Sequence, residues 1–287
     1  MWLAFLALNI IGLTTYNLIL RKSLLEKIDS FTLATIMQTG IAIPMFFVLP
    51  FYFPDLSVYT PKLLIVVMAI VLLIVTLHIS NVKSLQYLEA SVYSVLYNLR
   101  LVLSTILGIL FLAEDIIPLQ IVGGLLIFLA IFIMKQKGKK ELTIKGILWG
   151  IGAALSVSAL SVFEKTLINE VGYLDYAFPT MLGTAIIMWI ILLSRKHKVN
   201  FQIYKSKKIL SLMGFRALSA YSFTLAFYTG AKISVANYLS GLSVILIVVL
   251  GIIILKERDY LGRKIFATLI AVLGLTAILI ANLNLFQ

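Results

Sequence analysis

The chain has no cysteine, which excludes disulfides, thiolate metal sites and cysteine nucleophiles. Charge is scarce as well. Asp, Glu, Lys and Arg make up 13% of 287 residues, and only 12 residues are acidic. A soluble domain carries about a quarter charged residues, so this chain cannot cover a water-facing surface. No polar stretch is long enough for a separate soluble domain. The sequence also has no carboxylate pair at catalytic spacing, no HExxH helix, no Gly-rich phosphate loop and no nucleophile triad. It therefore gives no support to an intramembrane enzyme and calls for no cofactor and no metal. The net charge of +12 does not point to nucleic acid, because the basic residues lie in short tracts between apolar runs and form no face interleaved with aromatics.

What the chain does have is apolar length: 61% of its residues are hydrophobic. A transmembrane helix needs roughly 20 mainly apolar residues. Ten such helices are predicted, over residues 2–20, 31–53, 63–83, 88–112, 116–134, 144–167, 176–194, 209–232, 234–255 and 263–283. The expected fold class is an all-α integral membrane protein in contact with membrane lipid. Pro44 and Pro50 are expected to kink the second run or its end, and the glycines at 108, 123, 124, 150, 152, 251 and 274 suit close helix packing. The opening Met1-Trp2-Leu3-Ala4 has no basic leader, and no small-residue cleavage site follows, which predicts a retained first helix.

Numbering the loops alternately sorts the basic residues by side. One side collects Arg21, Lys22, Lys27, Lys83, the tract from Lys135 to Lys145, the tract from Arg195 to Lys208, and Lys256, Arg258, Arg263 and Lys264, 19 in all. The other side, which carries both termini, has only Lys62, Lys165 and Lys232. The positive-inside bias then places both termini outside a plasma or inner cell membrane.

The halves, residues 1–143 and 144–287, align without a gap at an offset of 143. Lys22 falls on Lys165, Gly40 on Gly183, Gly108 on Gly251 and Glu114 on Glu257, and ten of 25 positions from 91 to 115 are identical to those from 234 to 258. Matched Gly, Lys and Glu do not arise from shared apolar bias. Each unit has five spans, an odd number, so the second copy enters the membrane inverted. Inverted repeats recur in secondary transporters, with the substrate site near the midplane between the copies; the bland alternative is a large bundle serving as a scaffold.

Two segments then carry a resemblance. Leu112-Ala113-Glu114-Asp115 followed by Gln120-Ile121-Val122-Gly123-Gly124-Leu125-Leu126 resembles the junction between helices 4 and 5 of the drug/metabolite transporter superfamily, EamA-type, and Leu255-Lys256-Glu257-Arg258 repeats it. Asn17 with Lys22 resembles the end of that family's first helix, and Lys165 occupies the matching place in the second copy. The resemblance implies a ten-helix transporter, often an exporter of metabolites or amino acids, with a cavity lined by helices 1, 3, 4, 6, 8 and 9. Ala113 and Lys256 stand where the family has a glycine. Family members commonly keep both termini in the cytoplasm, whereas the basic residues here place them outside.

Candidate site residues come from polar groups at membrane depth, where a charge costs roughly 2.5–3.5 kcal/mol on insertion scales. Arg100 sits mid-span, and at helical spacing Tyr93, Tyr97 and Ser104 share its face, with Glu89 at the end of the stripe. The functional reading is a cavity wall in which the guanidinium holds an anionic group and the tyrosines a ring or sugar face. The alternative is an arginine held by backbone carbonyls at broken helix ends. Arg216, two turns into its helix, is expected to snorkel to the basic interface, with a place in the site as the other reading. His78 either couples protons or is a hydrogen-bonded packing residue. Tyr16 and Asn9 share a face of the first helix. Ala236, Ser240 and Ser243 match Tyr93, Tyr97 and Arg100 in the second copy, and their small size predicts room for substrate opposite Arg100. Glu114 and Glu257 read as solvated loop charges.

The sequence thus predicts a secondary transporter of a small anionic or zwitterionic metabolite such as an amino acid, working by alternating access, with proton or ion coupling and oligomeric state left open. The alternatives are a cationic-drug/proton antiporter, a flippase for a lipid-linked phosphate and a non-transporting scaffold. The antiporter needs an embedded acid; the first helix has none before Glu26, and Glu164 falls near the end of the sixth.

Overall fold

The computed structural model describes residues 1–112, 117–134, 144–194, 203, 205–229 and 233–284. Ala113, Glu114, Asp115, the lysines between 135 and 140, Arg195, Lys196, Lys198 and Lys232 lie outside the described residues, as do the side chains of Lys165 and Ser234. The described chain forms helices and no strand: α1 (Trp2–Leu25), α2 (Ser30–Val48), α3 (Pro61–Tyr87), α4 (Ala90–Tyr97), α5 (Leu99–Leu112), α6 (Pro118–Met134), α7 (Ile144–Val171), α8 (Tyr173–Ser194), α9 (Lys207–Tyr228), α10 (Ile233–Gly241), α11 (Ser243–Ile254) and α12 (Leu261–Asn284). Lipid offers backbone groups no hydrogen-bond partners, so each span must satisfy its own amides. Nine spans among the described residues are long and apolar enough to cross a membrane, and α6 is a shorter tenth apolar helix.

Two spans that the sequence reads as single helices are each interrupted. Between α4 and α5 the Leu101 amide bonds the Asn98 carbonyl at 3.0 Å, and between α10 and α11 the Ile245 amide bonds the Leu242 carbonyl at 3.1 Å. Both are i→i+3 bonds, a local tightening of the kind that marks hinges and functional bends. The interruptions face each other: a Cβ built on Gly241 would lie 3.6 Å from Asn98 Oδ1. Pro44 is accommodated inside α2, whereas Pro50 lies beyond its end at Val48.

Packing runs mainly between the repeats. The most extensive contacts pair α3 with α7, α1 with α9, and α6 with α12, followed by α2 with α8 and α2 with α9. Exchange of the two repeats turns the α1–α9 pair into the α7–α3 pair, and α2–α8 and α6–α12 each map onto themselves, as an inverted duplication requires. At the α6–α12 seam a Cβ on Gly274 would lie 2.7 Å from Gly123 O, and one on Gly123 would lie 2.6 Å from Gly274 O. The backbones touch, and only glycine fits.

Several charges assigned to solvent by sequence are structural. Glu257 is buried: its carboxylate accepts from the Ala90 amide at 2.9 Å, the Ser91 amide at 3.2 Å and Ser91 Oγ at 2.8 Å. These are the opening amides of α4, which lack intrahelical partners. Arg21 Nε stands 3.8 Å from the same carboxylate, and Arg21 Nη1 donates to Leu85 O at 2.6 Å. Lys264 is fully buried; it pairs with Glu89 and donates to Glu257 O at 2.7 Å. Glu89 therefore does not extend the polar stripe of the fourth span toward a cavity. A helix start under lipid needs an acceptor, and the junction glutamate of the second repeat supplies it.

At the far end of the bundle Asp175 gathers the segment between α2 and α3. Its carboxylate accepts from Tyr52 Oη at 2.8 Å and from the Asp55 amide at 3.0 Å, and its carbonyl accepts from Tyr59 Oη. Burial and the nearby Asp175 charge push Tyr59 up to about 12, and the hydrogen bond to Asp175 raises Tyr52.

Three outcomes are expected. Glu257→Ala strands two amides and the neighbouring cations and should lower stability in detergent by about 3–5 kcal/mol, with Glu257→Gln losing less; a thermal melt by intrinsic fluorescence checks this. Gly274→Ala should cost about 1–3 kcal/mol by overpacking, measured the same way. Both phenols of the Asp175 latch hold their protons more tightly folded than unfolded. The latch is thus intact below about pH 10 and is lost as pH rises toward about 12. Melting temperature should fall across that window more steeply in the parent than in Tyr59→Phe.

Candidate substrate cavity

Between the repeats lies a cavity of about 150 Å³, lined from α1 by Asn9, Leu13 and Tyr16, from α3 by Ile74, Leu77 and His78, and from the interrupted fourth span by Tyr97 and Arg100. Val157, Leu160 and Glu164 of α7, Arg216, Ser219, Ala220, Phe223 and Thr224 of α9 and Ser240 of α10 complete most of the wall. Gln38 and Ile41 of α2, with Tyr176 and Met181 of α8, also reach it, so the second and seventh spans contribute beyond the six helices that the resemblance implies.

The floor is cationic and aromatic. The Arg100 guanidinium lies 4.9 Å from the Tyr97 ring centroid, and that of Arg216 lies 5.2 Å from the Tyr16 ring. Stacking on an aromatic face offsets part of the cost of a buried guanidinium. Nε of Arg100 and Nε of Arg216 are buried without hydrogen-bond partners, and so are both ring nitrogens of His78. The expected snorkel of Arg216 is not observed: it turns inward to Tyr16, which gives the long side chain a ring to cover. His78 likewise has no hydrogen-bond partner among the described residues.

Two of the four stripe residues of the fourth span, Tyr97 and Arg100, reach the cavity, one from each side of the interruption. Tyr93 is buried behind, its ring stacked on Tyr97 at 5.5 Å between centroids. Ser104, one turn beyond Arg100 along α5, is not on the wall. The Arg100 carbonyl accepts from Ser158 Oγ at 2.8 Å, so a hydroxyl from α7 serves one backbone group at the break.

The second repeat behaves differently from the expectation of open space opposite Arg100. Ser240 Oγ donates to Asn9 Oδ1 at 2.7 Å, and Asn9 Nδ2 donates to Ser219 O at 2.8 Å. Ala236 packs with Leu6 and Ala226, and Ser243 is buried away from the cavity. Small residues on α10 admit α1, and Ser240, bonded to Asn9, keeps a place on the wall. Two wall residues had weak sequence signals. Gln38, an amide within an apolar run, donates to Met181 O at 3.0 Å. Glu164, placed by sequence near a helix end, accepts from Tyr176 Oη and faces the cavity.

A second hollow of about 240 Å³ is bounded by Val92, Leu96, Phe128, Ile131 and other apolar side chains between α4, α6 and α7. With no polar group to orient a charged molecule, it is suited to an acyl chain and not to a specific solute.

A bundle of membrane-length helices in two repeats, packed around a polar cavity, is a recurring build of transporters. The EamA-like transporter family matches residues 1–135 and, a second time, residues 144–280; the chain belongs to that family, within the drug/metabolite transporter superfamily. Members of the family are transporters. One solved crystal structure, 17% identical, superposes with a TM-score of 0.67 over 97% of this chain and 96% of that one, a likeness of fold alone. None of the curated proteins matches the sequence.

If Arg100 and Arg216 serve a ligand and not the fold, replacing either by Gln should leave melting temperature within a few degrees of the parent. Loss of the fold in both variants would assign them to structure.

Proposed function

We propose that this transporter exports a small anionic or zwitterionic metabolite, with Arg100 and Arg216 holding the acidic group and Tyr16 and Tyr97 its carbon skeleton. The observation that carries the reading is the convergence of two guanidinium groups, each with an unpartnered buried Nε, on one cavity. A charge at membrane depth without a counter-ion calls for a compensating partner, and a carboxylate or phosphate is the natural one for a planar fork of donors. The volume of about 150 Å³ lies below the roughly 300–1,000 Å³ of drug-sized sites, which favours a metabolite over a bulky drug.

The mechanism is alternating access. The tightened turns at Asn98 and Leu242, set against each other, are where the fourth and ninth spans bend as one repeat rocks against the other. The basic side chains Arg21, Lys208, Lys256 and Lys264 gather at one end of the bundle, which by the positive-inside bias is cytoplasmic, leaving both termini outside the cell membrane. A second reading draws on Glu164: an acid on the cavity is what a cation/proton antiporter needs.

In proteoliposomes loaded with candidate organic acids and amino acids, Arg100→Gln should reduce efflux by about tenfold to a hundredfold, the effect of one charge-assisted hydrogen bond. Flux unchanged by Arg100→Gln, or protection of cells only against cationic dyes, would replace this reading by the antiporter. For orientation, Arg258→Cys in this cysteine-free chain should resist an impermeant maleimide added outside intact cells; labelling there would reverse the topology.

A further inference from the structure

Charge in the cavity is not evenly spread along the membrane normal. Ser158 Oγ on the Arg100 carbonyl sets the level of Arg100 against α7. Glu164 lies six residues further along the same helix, about 9 Å nearer the far end at 1.5 Å per residue. On α9, Thr224 stands eight residues beyond Arg216, about 12 Å in the same direction. The cavity therefore has a floor of two guanidinium groups and, about two turns above, a wall with a single acid among the described lining residues.

The acidic wall has its own construction. Tyr176 donates to Glu164, Tyr173 and Thr224 hydroxyls lie 2.7 Å apart, and the Tyr173 and Tyr176 rings are 6.4 Å apart. No ion pair among the described residues joins Glu164 to Arg100 or Arg216. The acid is thus held in place by a phenol and meets no cation among the described residues, beside aromatic rings whose faces attract cations. Packing alone gives no reason for an acid and two arginines to line one small cavity without meeting.

We propose that Glu164, with Tyr176 beside it, is an amine-binding subsite at the far end of the cavity, so that the transported molecule is an acid that also carries an ammonium group. Its acidic group sits on Arg100 and Arg216, and its ammonium group on the Glu164 carboxylate. This rests on the anion reading of the floor and adds the discrimination: a plain carboxylic acid fills one pole and leaves Glu164 unpaired, whereas a plain amine leaves the arginines unpaired.

The test uses the full-length protein in detergent and its thermal stabilisation by valerate, norvaline, δ-aminovalerate and pentylamine, titrated to give apparent affinities. At least one of the two amino acids is expected to bind about tenfold or more tighter than valerate, the effect of one added charge-assisted hydrogen bond. Glu164→Gln should abolish that advantage and leave valerate binding in place, and Tyr176→Phe should reduce it. The proposal is overturned if valerate binds as well as both amino acids, or if the advantage survives Glu164→Gln. It is also overturned if Glu164→Gln alters only the pH dependence of transport, which would make the acid a proton site. The anion reading fails separately, if valerate binding is absent or unaffected by Arg100→Gln. Should Glu164→Gln not fold, displacement of δ-aminovalerate by pentylamine in the parent decides: competition supports an amine pole, and its absence sinks it.

Discussion

Everything at the basic end hangs on one buried carboxylate. α4 begins three residues after α3 ends, too soon for the connecting chain to cap it. Its own N-cap residue, Glu89, makes no side-chain cap bond because its carboxylate is drawn to Lys264. The opening amides of α4 find their acceptor across the repeat boundary, in Glu257. Gly251 makes this possible: a Cβ there would stand 3.3 Å from Glu257 Oε2. A charge-assisted bond at a helix start is favourable twice over, through the unpaired amides and through the helix dipole. The direction in which α4 enters the bundle, and hence where Tyr97 and Arg100 fall, is set by a residue of the other half.

The cavity follows from that entry angle and from the tightened turns. A regular helix from Ala90 to Leu112 would carry Tyr93, Tyr97, Arg100 and Ser104 down one face. The turn at Asn98 falls between Tyr97 and Arg100, both of which line the cavity, and the Arg100 carbonyl just beyond it accepts from Ser158 Oγ. On the facing span the turn at Leu242 leaves Ser240 toward α1 and turns Ser243 away. Each of the two spans thus reaches the cavity beside a local departure from α geometry.

Periodicity and length made the spans readable from sequence, and the offset of 143 made the inverted repeat readable, because both are one-dimensional properties of the chain. Arg100, Tyr97, Tyr16 and His78 were readable as cavity residues because a polar side chain in an apolar run has few other places to go. Ser243 was not separable from them, since the helix phase is lost at the irregular turn at Leu242; Ser104 keeps its phase with Arg100 along α5, and its absence from the wall is not announced by its spacing. Arg216 and Glu164 were misjudged for another reason. Depth along a helix was read from the ends of the apolar run, but α7 runs on to Val171 and α9 begins at Lys207, so both charges lie deeper than the run suggests. Glu257 and Lys264 show the same limit: a charge between two spans reads as solvated until the helix it caps is known.

The contact between Gly123 and Gly274 bears on how such a molecule can move. Two backbones in direct touch cannot slide past one another without a collision, yet they can rotate about their line of contact with little change in packing. In the alternating-access motion proposed above, helices α6 and α12, joined there, would serve as an axle. A rocking motion about it would leave that seam almost still and give its largest displacement far from it, where the segment between α2 and α3 meets α8 in the Asp175 latch. The tyrosines gathered on Asp175 then sit where a small rotation does most to part the two halves.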